Sequence, residues 1–352
     1  MILLTMLIIP TLVALGFFLF AGKEVNLKEF IAQNLAQVLV MSCFMGYVYW
    51  QNTYDVEVWN GRVVDKKREI VSCEHSYTCN CVTVSCGKDC STVVCQTCYE
   101  HSYDVNWPLY TSNEEQVKID RVDRQGTIEP SRWTQIQIGE PTTIAHSFKN
   151  YIKAAPDSLF RKQGLVDKYK DQLPSYPGEV YDYYHVDRFV ALAKYDLGAK
   201  EWNKDLEIIN ADLGKSKEVN MIIVVVQDKP EDYFFALEQY WLGGKKNDFI
   251  AVINLTSDKI TWTKVMAWTD NKLAEVVVAD NVTKVGTMDR TKIIEAIRTG
   301  VKDHFIRKHM KDYEYLSHQV KPSIGQWIFA LLLGLTISIG LGMLFVKEEF
   351  FN

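Results

Sequence analysis

The stretch VNMIIVVV, residues 219–226, holds seven apolar residues in eight and no charge. A run of that length and density, rich in β-branched side chains, reads as a strand buried on both faces of a sheet. Its flanks agree. On the N-terminal side Trp202, Leu206, Ile209 and Leu213 recur at i, i+4, i+7 and i+11 and define one face of a helix. On the other side Pro230, Glu231 and Asp232 open a second helix, since proline suits the first turn and acids suit the positive end of the dipole. Gly243 and Gly244 stop it. Strands follow at Phe249 to Leu255 and Ile260 to Trp268. An amphipathic helix from about Thr291 to Met310 then shows its apolar face through Ile294, Ile297, Val301 and Phe305. The order helix, strand, helix, strand, strand, helix predicts an α/β sandwich over residues 182–320.

Upstream the period changes from helical to alternating. YDVEVW (54–59), QVKIDRV (116–122) and WTQIQI (133–138) read as strands, punctuated by Gly61, Pro108, Gly126, Pro130 and Pro141. Residues 51–155 are therefore expected to form a β-rich subdomain, with Arg121, Asp123 and Arg124 on a solvated strand face. Pro156, Pro174, Pro177 and Gly178 mark residues 156–181 as a linker.

Seven of the eight cysteines crowd between Cys73 and Cys98 in the pattern C-x5-C-x-C-x4-C-x3-C-x4-C-x2-C. Around Gly87-Lys88-Asp89 the pattern is nearly a mirror, and Glu-His-Ser-Tyr occurs on both sides, at 74–77 and 100–103. A hairpin with a tight turn at 87–89 follows from that symmetry. Two chemistries fit it. Disulfides would pair Cys79 with Cys98, Cys81 with Cys95 and Cys86 with Cys90, and would persist only in an oxidising compartment. Zinc would instead take Cys79, Cys81, Cys95 and Cys98, with His75 and His101 as alternates. Both stay open on spacing alone.

Both ends are membrane-like. Residues 1–20, MILLTMLIIPTLVALGFFLF, carry no charge, and IGQWIFALLLGLTISIGLGMLFV (324–346) is likewise uncharged; about 20 apolar residues span a bilayer core. Residues 31–50 form a third apolar stretch, interrupted by Gln33, Asn34 and Gln37 on one side and closed by Tyr47, Tyr49 and Trp50. An amide face inside a bilayer turns toward another helix. Spans are thus expected at 2–20, 31–50 and 324–346, making an integral, multi-pass membrane protein of α+β class. Flanking charge (Arg62, Lys66, Lys67, Arg68, Arg307, Lys308, Lys311 and Lys321, against Lys23, Lys28 and Lys347) favours a cytoplasmic central domain. A net charge of -5 makes nucleic acid an unexpected partner.

Leu237-x-x-Tyr240-Trp241-Leu242-Gly243, then Asn247-Asp248 and the apolar strand Ile250 to Leu255, preceded by the Ile-Ile-Val-Val-Val strand and followed by a terminal helix and membrane anchor, resembles the TPM domain of membrane-anchored bacterial and thylakoid proteins over residues 182–312. Phe249 stands where that family has a glycine, and its acidic N-terminal motif corresponds at best to Asp187. The resemblance implies an extracytoplasmic domain and, through Asp248, a site for Mg²⁺ or Ca²⁺. Residues 54–63, 98–107, 121–134 and 150–160 also resemble uncharacterised phage and prophage membrane proteins, which implies a source and no activity.

The sequence lacks a nucleophile elbow, a phosphate loop and a His-Glu-x-x-His helix. It is read first as a non-enzymatic, membrane-anchored assembly or interaction protein of the envelope, partnered by the lipid bilayer and other membrane or envelope proteins. A metal-dependent phosphatase using Asp248 with Asp228, Asp187 or Asp258 is the second reading. A zinc-binding membrane scaffold with a cytoplasmic domain is the third.

Overall fold

A computed structural model describes residues 2–21, 25–87, 90–155, 159, 164–182 and 184–347. In chain order the first elements are α1 (Ile2–Phe20), α2 (Leu27–Thr53), β1 (Tyr54–Lys66), β2 (Glu69–Val71), β3 (Ser76–Gly87), β4 (Cys90–Tyr99), β5 (Asp104–Thr111), β6 (Gln116–Ile119), α3 (Ser131–Gln135), β7 (Pro141–Lys149), α4 (Tyr151–Ala154) and α5 (Leu165–Tyr169). There follow β8 (Phe189–Ala191), α6 (Ala199–Lys217), β9 (Asn220–Gln227), α7 (Asp232–Tyr240), β10 (Asp248–Thr256), β11 (Lys259–Ala267), α8 (Leu273–Val285), α9 (Arg290–His304) and α10 (Ile324–Lys347). The chain divides into two units: 1–56 with 147–163 and 309–352, and 57–146 with 164–308. It is a mixed α+β protein with apolar helices near both ends.

In the first unit α1, α2 and α10 pack together. Among the described residues α2 and α10 are long and apolar enough to cross a membrane, whereas α1 is apolar over the shorter stretch Thr5–Phe20. Helix α2 begins earlier than the periodicity predicts, because Asn26 caps it: its side chain accepts from the Glu29 amide while the Glu29 carboxylate accepts from the Asn26 amide, a reciprocal capping box. Gly334, Ser338 and Gly342 lie on one face of α10. A Cβ on Gly334 would stand 2.5 Å from Pro10 Cγ, and one on Gly342 2.6 Å from Phe17 Cδ2. Between them the Ser338 hydroxyl donates to the Pro10 carbonyl at 2.7 Å, and Gln33 donates to the Ser338 carbonyl at 2.6 Å. Gln33 and Gln37 are buried as an inward amide face requires, but Asn34 turns back on its own helix to the Phe30 carbonyl.

The second unit holds three sheets. β9 is central in the order β11-β10-β9-β8, parallel to β8 and β10, with β11 antiparallel at the edge. Alternate residues of β9 enter different cores. Met221, Ile223 and Val225 meet Trp202, Leu206, Val278 and Ile297 from α6, α8 and α9, while Ile222, Val224 and Val226 meet Tyr233, Phe234 and Leu237 from α7. The sheet is thus covered on both faces.

Several expectations differ from the structure. Helix α8 was not anticipated, although Ala274, Val278 and Val282 are its buried i, i+4, i+8 stripe. The helix expected to reach Met310 stops at His304. Phe305 packs edge-on against Phe249, and the following backbone pairs with Trp268 to Asp270 instead of continuing the helix. WTQIQI is not a strand: Ser131–Gln135 is a helical turn after Pro130 that seats Trp133 on Trp107, with ring centroids 4.8 Å apart, and buries Ile136. The supposed linker packs from Gly164 onward. Tyr169 is buried, Trp241 donates to the Pro174 carbonyl at 2.9 Å, and Tyr233 donates to the Gln172 carbonyl at 2.8 Å. The two units divide within 156–181, between 163 and 164, and residues 57–146 belong with 164–308 in the second unit; Pro156 lies outside the described residues.

The glycine face of α10 sets up a contrast. Gly334→Leu should lower the thermal stability of the protein in detergent by about 2 kcal/mol through overpacking against Pro10 and Met41. Gly340→Leu, with nothing within 4 Å of its Cβ position, should leave it unchanged. Equal effects of the two substitutions, measured by calorimetry, would count against this packing.

Candidate functional site: a stapled hairpin and a buried polar seam

β3 and β4 pair antiparallel, with Val82 opposite Val94, Thr83 opposite Val93 and Val84 opposite Thr92. Cys79 is joined to Cys98 and Cys81 to Cys95, with Cα separations of 5.8 and 4.0 Å. These are two of the pairs expected from the mirror spacing. The register slips between Cys79 and Val82, where Asn80 takes a left-handed φ of 47°, so Cys79 lies opposite Gln96 while its sulfur reaches Cys98. The side chains of the third expected pair, Cys86 and Cys90, and the turn at Lys88 and Asp89 lie outside what the structure describes. Zinc ligation is not the arrangement adopted by Cys79, Cys81, Cys95 and Cys98, whose sulfurs are consumed in pairs. His75 and His101 both approach the Glu100 carboxylate, at 3.2 and 4.0 Å. No group of three His, Cys, Asp or Glu side chains suited to a metal occurs among the described residues. Cys73 is a buried free thiol.

The hairpin leaves its apolar side chains in solvent. Tyr77, Val82, Val84, Val93, Val94 and Tyr99 are each about half exposed or more. A two-stranded ribbon without a core is marginal in water, and here covalent cross-links do the work that packing does elsewhere. Arg121 and Asp123 do not lie on a strand face. Arg121 pairs with Glu74 and stands 3.6 Å from the buried Asp104, and Asp123 accepts from the Thr127 and Ile128 amides.

The second feature is centred on Arg188, wholly buried at the entry to β8. Its Nε donates to Asn220 Oδ1 at 3.0 Å, Nη1 to the Val186 carbonyl at 3.0 Å, and Nη2 to Thr143 Oγ1 at 2.7 Å and to Asn60 Oδ1. Asn220 passes the interaction on, donating through Nδ2 to Asp248 Oδ1 at 2.9 Å. Asp248 Oδ2 accepts from the Tyr176 hydroxyl at 2.6 Å and from the Lys245 amide at 2.6 Å. The left-handed turn through Gly243 and Gly244 brings that amide into place, and a Cβ on Gly244 would stand 2.8 Å from Asp248 Oδ2. Burial pushes the Asp248 carboxyl up to about 6 against the pull of those donors, and lowers Arg188 to about 10, still a cation at neutral pH. Nearby, buried Glu57 receives Lys246 at 3.0 Å, the Trp59 indole N–H at 2.8 Å and His146 at 3.2 Å.

The carboxylates read as partners of Asp248 do not converge on it. Asp248 begins β10, whereas Asp228 follows the end of β9 and Asp258 sits in the turn after β10, so roughly 25 Å of parallel strand separates them at about 3.3 Å per residue. Asp228 and Asp258 occupy left-handed turn positions, with φ of 53° and 63°, and the Asp258 carboxylate holds the Tyr195 hydroxyl up to about 12. Asp187 is exposed and takes a hydrogen bond from Tyr181 at 3.1 Å. An Mg²⁺ or Ca²⁺ site built from these four residues is therefore not assembled: strand direction puts Asp228 and Asp258 at the sheet end opposite Asp248, and Asp187, before β8 at the Asp248 end, is exposed and bonded to Tyr181. The sequence reading missed Arg188, Asn60 and Tyr176. One signal was present, the lone polar Asn220 inside an otherwise apolar buried strand.

No protein-family model, no curated protein and no solved structure matches the chain. The resemblance to the TPM domain rests on the quoted motif alone.

Non-reducing peptide mapping should recover Cys79 linked to Cys98 and Cys81 to Cys95, released by reductant and untouched by chelator. Thiols freed by chelator alone would restore zinc. Asp248 supplies a pH test. Its folded pKa exceeds the unfolded value of 3.8, so the stability that it contributes is full below that value and is lost as pH rises through about 6. Relative to Asp248→Asn, the protein should lose about 3 kcal/mol between pH 3.5 and pH 7 in denaturant titrations. A pH-independent difference would place the ionised carboxylate in the fold.

Proposed function

We propose that this chain is a membrane-anchored, non-enzymatic interaction protein of a cell envelope, and that the disulfide-stapled hairpin is its contact element for other membrane or envelope proteins. The observation that carries this reading is the pairing of two disulfides with exposed valines and tyrosines on a ribbon without a core. A fold gains little from rigidifying such a ribbon for its own sake. A binding surface gains from it, because side chains held in one geometry lose less entropy on association.

In this reading α1, α2 and α10 all cross the bilayer, so the N-terminus and the large domain share a side. That side is extracytoplasmic, because structural disulfides persist in oxidising compartments. The flanking basic residues pull the other way, but long domains translocate largely regardless of such charge. The metal-dependent phosphatase reading is weaker, since Asp228 and Asp258 stand at the sheet end opposite Asp248 and Asp187 is exposed and tied to Tyr181. The zinc-scaffold reading needs the thiols that the two disulfides occupy.

Replacing Val82, Val84, Val93 and Val94 by threonine keeps the shape and the cross-links while removing apolar surface. A photocrosslinker at Tyr77 should give discrete adducts with membrane or envelope proteins in intact cells, and the fourfold variant should lose them with its thermal unfolding unchanged. Adducts that survive the substitutions, or metal-dependent turnover of a generic phosphoester by the purified protein, would overturn the reading. External protease that spares the central domain in cells stripped of their outer layers would overturn its sidedness.

A further inference from the structure

The second unit contains a cavity of about 160 Å³ at the edge of the polar seam, lined by Trp59, Asn60, Ser112, Asn113, Glu114, Gly214, Lys215, Glu218 and Asn247. It has room for several waters, and therefore for one small ring. We propose that it binds a neutral, hydroxyl-rich ligand, a single sugar ring.

The argument starts from Asn247, which is 1% exposed. Its Nδ2 donates to the Val58 carbonyl at 2.7 Å, but its Oδ1 has no donor among the described residues. A buried amide oxygen without a partner is rare and unfavourable, and it calls for a ligand that brings an N–H or O–H. An anion does not: that oxygen repels it, as do the carboxylates of Glu114 and Glu218, the latter paired with Arg307. Lys215 disfavours a cation. A purely apolar solute would leave the Asn247 oxygen as it is.

The remaining groups both give and accept. Ser112 Oγ already accepts from the Arg62 amide at 3.0 Å, so its own proton is left to donate. Trp59 adds an aromatic wall. Its indole is fixed by stacking on His146, with centroids 3.7 Å apart, and by its N–H on Glu57. A ring with C–H faces and a rim of hydroxyls matches an aromatic wall flanked by mixed donors and acceptors. The floor is rigid. Asn60 is held by Arg188, by Thr143 and through its Nδ2 by the Val219 carbonyl at 2.9 Å. Helix α6 approaches so closely that a Cβ on Gly214 would stand 2.0 Å from the Asn60 carbonyl oxygen.

The test uses the full chain in a sugar-free, zwitterionic detergent and saturation-transfer difference NMR with glucose, N-acetylglucosamine, mannose and rhamnose, with glycerol as control. At least one sugar should show saturable transfer with a dissociation constant of about 1 mM or tighter. Asn247→Ala and Trp59→Ala should weaken it at least tenfold. Because those two could also disturb folding, the surface variants Lys215→Ala and Glu114→Gly provide a second reading, and each should weaken binding with unchanged thermal unfolding. No transfer from any sugar, transfer matched by glycerol, binding indifferent to both surface variants, or phosphate or guanidinium displacing the sugar would each overturn the proposal.

Discussion

A guanidinium with no surface in water has to have its charge and all its donors answered by protein, and Arg188 is such a group. Four residues answer it directly: Asn60 from β1, Thr143 from β7, Asn220 from β9, and the Val186 carbonyl. Asp248 on β10 answers it at one remove through Asn220. Removing one member of a buried charged network costs about 3–5 kcal/mol, because the others stay buried without partners. That is a large part of the stability of an ordinary domain. The seam therefore specifies which strands meet, in a way that the apolar cores on either side, tolerant of volume-conserving change, do not.

What could be read from sequence is what local pattern controls. The buried strand at 219–226, the helix on Trp202, Leu206, Ile209 and Leu213, the glycine stop at 243–244 and the facing of Cys79 with Cys98 and Cys81 with Cys95 follow from spacing along the chain, whereas the choice of disulfide over zinc does not. The capping box at Asn26 and Glu29 was legible and overlooked. WTQIQI was misread because alternation over six residues does not distinguish a strand from a short turn that seats one tryptophan on another. Of the seam, only Asn220, a lone polar residue in an apolar strand, and Asp248 stand out in the sequence. Asn60 and Arg188 are 128 positions apart, and nothing in either one's neighbourhood announces the other.

The membrane-like bundle follows a different logic. Close approach at Gly334 and Gly342 and hydrogen bonds through Ser338 and Gln33 join the helices, contacts that would hold in an apolar surrounding as well as in water. Gln37 is the exception. It is fully buried, and neither of its amide atoms has a partner among the described residues. Gln33, Asn34 and Gln37 thus contribute unequally: the first is bound across the interface, the second to its own helix, and the third to neither.

The bond between Gln33 and Ser338 spans 305 positions. Synthesis makes α1 and α2 before α10, so the earlier pair waits with Gln33 uncovered while the whole central region is made. Closure of the bundle is then a record that translation has passed residue 338. A chain broken off earlier leaves the Gln33 amide without the Ser338 carbonyl that it meets in the assembled bundle.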